Sequence, residues 1–196
     1  MGIPLPALDW MPLPGESSGD TSGRLTLVAA PGSDWSNDAF GTARQHDAAL
    51  LGFTAPDRFS LSARASVEGP RTTFDAPSLS LWASPDHWAK LCFERSPQGT
   101  DMVVSVVTDR FSDDCNGPVV AAGSVLLRVV RDGHVWAFHS SADGEVWDFV
   151  RLFRFEPELP VTVGFMAQSP MGGAFEVVFD EIVFDLEIPT DYRDGS

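Results

Sequence analysis

The sequence predicts an all-β protein built from two packed antiparallel sheets. Short β-rich runs recur roughly every ten residues, clusters of Gly, Pro, Asp and Ser separate them, and no stretch holds an apolar helical period long enough for an amphipathic helix. This spacing belongs to a sandwich.

The runs are Leu25–Ala29, Phe59–Val67, Ser78–Trp82, Trp88–Glu94, Met102–Thr108, Val125–Val130, Val135–Ser140, Phe149–Phe155, Val161–Gln168 and Phe175–Phe184. Pro31-Gly32, Pro97 to Gly99 and Gly172-Gly173 supply breaks. "RDGHVWAFHSSADGEVWDFVR" places Asp132-Gly133 and Asp143-Gly144 between β-rich runs, a hairpin signal that predicts a three-stranded meander. "GESSGDTSG", residues 15–23, reads as a flexible loop and lacks the Gly-Lys-Ser/Thr ending of a phosphate loop. With no internal repeat or linker, the expectation is a single domain over 1–196, with residues 1–23 partly loop-like and 189–196 a flexible tail.

Composition narrows the function classes. Hydrophobic residues at 43%, fourteen Phe and six Trp supply core material and argue against disorder. A formal charge of -15 with no basic run disfavours nucleic acid. The first ten residues lack a secretory signal pattern, and no apolar run nears the ~20 residues of a membrane span, so the expected location is cytoplasmic and no membrane partner is expected. Pro6 stands where a myristoylation signal wants Ser or Thr. Cys92 and Cys115 read as free thiols, and the four His show no zinc spacing with them. No cofactor is implied.

The stretch "HWAKLCFERS" holds Lys90, the sole lysine. On a strand, Ala89, Leu91 and Phe93 point to the core, while Trp88, Lys90, Cys92 and Glu94 point outward. Leu79 and Leu81 likewise suit the core, leaving Ser80 and Trp82 outside. Arg128 and His139 are polar intruders in the meander. Placed side by side, such outer residues form a patch suited to a sugar: a ring face covers the apolar face of a pyranose and charged groups bond its hydroxyls. The alternative is an ordinary solvated sheet face, and alternation alone leaves both open.

"HWAKLCFE", "MVVSVVTDRFSDD", "SADGEVWDFVR" and "VGFMAQSPMGGAFEVVFDEI", with the earlier "SDWSNDAFG", resemble the domain-of-unknown-function family 1349, to which the bacterial YesU-like proteins and the yeast regulation-of-enolase protein belong. The resemblance implies a concanavalin A-like jelly-roll sandwich of the lectin and glucanase superfamily, with the outer face of the "WAKLCFE" strand lining a concave sheet. By that analogy Lys90, Glu94, Ser105, Thr108, Ser112, Asp113 and Gln168 are the positions of interest.

The expected function is therefore non-catalytic binding of a carbohydrate or sugar-like metabolite, with Trp82 or Trp88 stacking, Lys90 and Glu94 bonding hydroxyls, and Ser105, His139 and Gln168 orienting the ligand. A second class is a glycoside hydrolase or other sugar-modifying enzyme using Glu94. The Glu-x-Asp-x-x-Glu pattern of the superfamily's glucanases is absent, and a second carboxylate has to come from Asp75 or from the loop with Asp109, Asp113 and Asp114. A third is a regulatory protein-binding module. "DRFSDDCN" offers oxygen ligands but matches no calcium loop, so no metal site is assigned. The oligomeric state stays open, a homodimer included.

Overall fold

A computed structural model describes residues 2–20 and 22–196. In chain order the strands are β1 (Asp9–Met11), β2 (Glu16–Gly19), β3 (Leu25–Ala29), β4 (Trp35–Asn37), β5 (Arg44–His46), β6 (Leu50–Thr54), β7 (Arg58–Val67) and β8 (Ala76–Ser84). They continue as β9 (His87–Arg95), β10 (Asp101–Asp109), β11 (Phe111–Val119), β12 (Ser124–Asp132), β13 (Val135–Ser141), β14 (Asp148–Arg154), β15 (Thr162–Gln168) and β16 (Phe175–Asp185). Among the described residues no helix is long and apolar enough to cross a membrane.

Two seven-stranded antiparallel sheets form a jelly-roll sandwich. The first has the order β1-β6-β15-β8-β9-β10-β11, the second β14-β13-β12-β7-β16-β3-β2, and β4 and β5 form a separate hairpin. Register fixes which side chains share a face. In the first sheet Leu79, Leu91 and Ser105 align across β8, β9 and β10 on the inner face, while Ser80, Lys90, Val106 and Asp114 align across β8 to β11 on the outer face.

The inner faces meet through aromatic contacts between sheets: Phe53 with Phe184 at 5.3 Å and Phe165 with Phe179 at 5.1 Å between ring centroids. A second apolar cluster lies on the outer face of the first sheet, where Trp82, Trp88, Cys92, Val104, Val106 and Met166 are covered by Trp35 and Ala48 of the β4–β5 hairpin region. Trp35 is fully buried, 4.6 Å from Trp82 and 5.9 Å from Trp88, and its indole N–H donates to the Ala48 carbonyl at 2.9 Å.

All ten expected runs are strands, and the meander is present as β12-β13-β14. Its first turn is a two-residue connection through Gly133 and His134, with Gly133 at φ 61°. The second is longer, and Asp143 Oδ1 organises it by accepting from the Glu145 and Val146 amides at 2.9 and 3.0 Å.

Three expectations need correction. Glu16–Gly19, inside the expected 15–23 loop, is an edge strand on β3; Thr21 of that segment and Met1 lie outside the described residues. Residues 109–116 are not a loop: the chain reverses at Arg110 (φ 64°) and Phe111–Val119 pairs with β10. The 189–196 tail is packed on the second sheet, where the Tyr192 carbonyl accepts from His139 Nε2 and the Gly195 carbonyl from Arg128, both at 2.8 Å.

Trp35→Ala removes the largest contact between hairpin and sheet. It is expected to destabilise the protein by about 3–5 kcal/mol, measured by urea denaturation.

Candidate functional site

Strand parity carries Lys90 to the outer face of β9, and the β4 segment closes over it. Lys90 is 4% exposed, and its Nζ donates to Asp34 Oδ1 at 2.7 Å, the Trp35 carbonyl at 2.8 Å and Gln168 Oε1 at 2.8 Å. An ammonium has three protons, and these three acceptors use them all. Burial is the largest single influence and works against the charge, yet the acidic neighbours together, Asp34 foremost, hold the Lys90 pKa above its ordinary value.

The acceptors are themselves fixed. Asp34 Oδ1 also accepts from the Trp35 amide at 2.8 Å, and the Asp34 amide donates to Asp47 Oδ1 at 2.9 Å. The Gln168 amide group donates to the Phe74 carbonyl at 3.0 Å. Phe74 is left-handed at φ 68°, uncommon for a bulky side chain, and its N–H is held by the Arg95 carbonyl at 2.7 Å.

Beside this network lies a cavity of about 240 Å³, lined on its apolar side by Trp35, Phe74, Val104 and Val106. Its polar lining comprises Asp34, Ser36, Lys90, Glu94, Ser112, Asp114, Asn116 and Gln168. Glu94 is 9% exposed, and among the described residues its carboxyl has neither a hydrogen-bond nor an ion-pair partner. Burial pushes its pKa up to about 7, with Lys90 opposing and Asp34 and Asp114 reinforcing the rise. Asp114, on the solvent side, is also raised, by desolvation and by Asp34 and Asp113 against the pull of Lys90. The cavity therefore holds one neutralised ion pair and two carboxyl groups without partners.

Of the ten residues expected to bind ligand, Lys90, Glu94, Ser112 and Gln168 line this cavity. Ser112 is engaged, its hydroxyl accepting from the Asn37 amide at 3.0 Å and lying 3.1 Å from the fully buried Thr108 hydroxyl, which does not reach the cavity. Trp82 and Trp88 are sealed under Trp35 and His46 and offer no ring face to a ligand. Ser105 faces inward opposite Leu91, its hydroxyl buried without a partner. Asp113 has the opposite parity to Asp114 and pairs with Arg151 at 3.2 Å. His139 and Arg128 belong to the second sheet under the C-terminal residues, so the expected patch with Lys90 does not form, nor does His139 meet Cys92.

Burial pushes the Cys92 thiol up, and both cysteines are free. Asp75 is absent from the cavity lining. Among the described residues no three His, Cys, Asp or Glu side chains group as a metal site. Sequence reading left Asp34, Trp35, Ser36, Phe74, Val104, Val106 and Asn116 out of the site. A usable signal existed for part of it: Ser112, Asp114 and Asn116 alternate with the period of a strand.

A family model described as "Protein of unknown function (DUF1349)" matches residues 10–186. No curated protein matches the chain. A functionally unknown protein from Saccharomyces cerevisiae has a similar solved structure, with TM-score 0.82 and 25% identity over 93% of this chain and 98% of that one. The GH43 protein BlXynB from Bacillus licheniformis is similar at TM-score 0.66 and 13% identity over 84% of this chain, but only 33% of its own. The alginate lyase from Klebsiella pneumoniae is similar at TM-score 0.56 and 13% identity, over 87% of this chain and 84% of that one. These last two likenesses concern the fold alone.

Two stability measurements probe the site. Lys90→Met leaves the half-buried Asp34 carboxylate without its cation and the Trp35 carbonyl and Gln168 Oε1 without a donor, and is expected to cost about 3 kcal/mol. Adding Asp34→Asn recovers part of that loss in urea denaturation. Glu94, raised from 4.5 to about 7, makes the folded protein bind more protons than the unfolded chain between those values. Stability is therefore lost as pH rises through that window, by up to about 3 kcal/mol from this group, and Glu94→Gln removes that part of the slope.

Proposed function

The chain belongs to the DUF1349 family of proteins of unknown function, and from that premise we propose that it binds one sugar ring or sugar-like polyol in the cavity beside Glu94, without chemistry. The observation that carries this reading is the buried carboxyl of Glu94, which lines a cavity and has no protein partner among the described residues. A buried polar group left unmatched costs stability, and hydroxyl donors from a ligand offset that cost.

Size and lining support it. About 240 Å³ lies below the ~300–1,000 Å³ of drug-sized pockets, which fits one ring better than a chain of them. Trp35, Phe74, Val104 and Val106 offer apolar surface to ring C–H groups, and Glu94, Asp114 and Asn116 offer oxygens to its hydroxyls. Lys90 then has a different part from hydroxyl binding: with all its protons engaged, it holds the wall in place. The sandwich is also the fold of the alginate lyase, a fold-level analogy that makes sugars a reasonable first panel.

One observation favours a catalytic reading as the alternative. A carboxyl raised to about 7 is suited to a general acid, and Asp114 is a second carboxyl on the same cavity.

Calorimetry with a monosaccharide and polyol panel is expected to give binding that weakens at least about tenfold in Glu94→Gln, the loss of one charge-assisted hydrogen bond. Absence of binding across the panel, or binding indifferent to Glu94→Gln, contradicts the proposal. Turnover of nitrophenyl glycosides with a pH limb near the Glu94 value of about 7, abolished in that variant, decides for the enzyme.

A further inference from the structure

We propose that the ligand of this cavity carries a protonated amine, as an amino sugar or amino polyol does, and that Glu94 and Asp114 receive it. The inference rests on the binding reading above and names the chemical class that reading leaves open.

The argument is an inventory of charge and of unused donors. Among the described residues Lys90 is the only cationic side chain in the cavity lining, and Asp34 neutralises it at 2.7 Å while Trp35 and Gln168 take its other two protons. The remaining charged groups near Glu94 are Asp114 from β11 and Arg71 from the segment before β8. Arg71 does not line this cavity: its side chain is 5% exposed and committed to Asp101 at 3.2 Å, to the Asp75 carbonyl at 2.5 Å and to the Phe93 carbonyl. Arg151, which also acts on Asp114, is held by Asp113 at 3.2 Å.

No cation is therefore left to meet an anionic ligand, whereas two carboxyl groups await a positive one. Gln168 already gives one N–H to Phe74 and its oxygen to Lys90, and the Ser112 hydroxyl lies against Thr108, so a uronate or phosphate entering the cavity faces Glu94 and Asp114 with only neutral side-chain donors, from Ser36, Ser112, Asn116 and Gln168, to meet it. Like charges close together repel, and desolvation enlarges the effect. An ammonium reverses both terms. It supplies donors to carboxyl oxygens that have none, and it favours ionised Glu94 in place of the partly protonated empty-site form.

The test is competitive calorimetry on the full chain at pH 7.5 with matched hexose sets, each a neutral sugar, its 6-amino-6-deoxy form and its uronate, in gluco, galacto and manno configuration. The expected result is that, in the set that binds, the amino member is tighter than the neutral one by at least about tenfold, the margin of a charge-assisted over a neutral hydrogen bond, and the uronate is weakest. Glu94→Gln, and separately Asp114→Asn at the exposed side, shrink that margin. A neutral or uronate member binding as tightly as the amino one, or a margin unchanged in both variants, overturns the amine and leaves the polyol reading standing. No binding by any member of any set overturns both.

Discussion

The buried ammonium of Lys90 is the constraint around which this face of the molecule is arranged. A charge removed from water is tolerable only when its protons are matched, and here the three acceptors come from widely separated parts of the chain: Asp34 and Trp35 ahead of the sheet and Gln168 at the end of β15. One side chain thereby ties a three-residue strand, too short to hold itself, to the middle of a seven-stranded sheet. The apolar half of the same junction is the cluster of Trp35, Trp82 and Trp88. The cavity exists where the two halves leave a gap, with Glu94 four residues further along β9.

This arrangement explains why a sheet face that alternates as if solvated is in fact covered. Trp82 and Trp88 point outward, as parity requires, but into a second, smaller core. The cavity-lining groups with bonding capacity unused lie beyond its edge: Glu94, Asp114 and Asn116. The roles reverse accordingly. The lysine that resembles a ligand contact is a structural cation, and the acidic groups around it are the ones with bonding capacity to spare.

The fold was legible because strand alternation and turn chemistry are local. Each of the ten runs is long and apolar enough to register, and the inward set Ala89, Leu91 and Phe93 follows from side-chain direction alone. β4 and β5 were not legible, since three residues such as "WSN" or "RQH" carry no periodicity and owe their form to Lys90 and the tryptophans beneath them. β11 was hidden by its composition: "FSDDCNGPV" is rich in turn formers, and pairing with β10 overrides that preference. Site residues divided on the same line. Lys90 and Glu94 follow from parity within one strand, whereas the placement of His139 depends on which sheet its strand joins, and the inward direction of Ser105 depends on the register between β9 and β10. Neither is encoded locally.

The small hairpin has a bearing on affinity that is separate from any contact it makes. A two-stranded hairpin of three residues a side, held to the sheet by the Lys90–Asp34 and Arg44–Asp86 ion pairs, the Trp35 indole and the hydrogen bonds of Asn37, opens at lower free energy than the seven-stranded sheet it rests on. Only its docked form has a complete wall, so the measured dissociation constant of any occupant is the intrinsic one divided by the docked fraction. Substitutions at Asn37 and along β5, which do not line the cavity, thus tune the docked fraction at a distance, whereas Trp35 and Ser36 touch the cavity directly, so strength can drift at the first set without a change in lining.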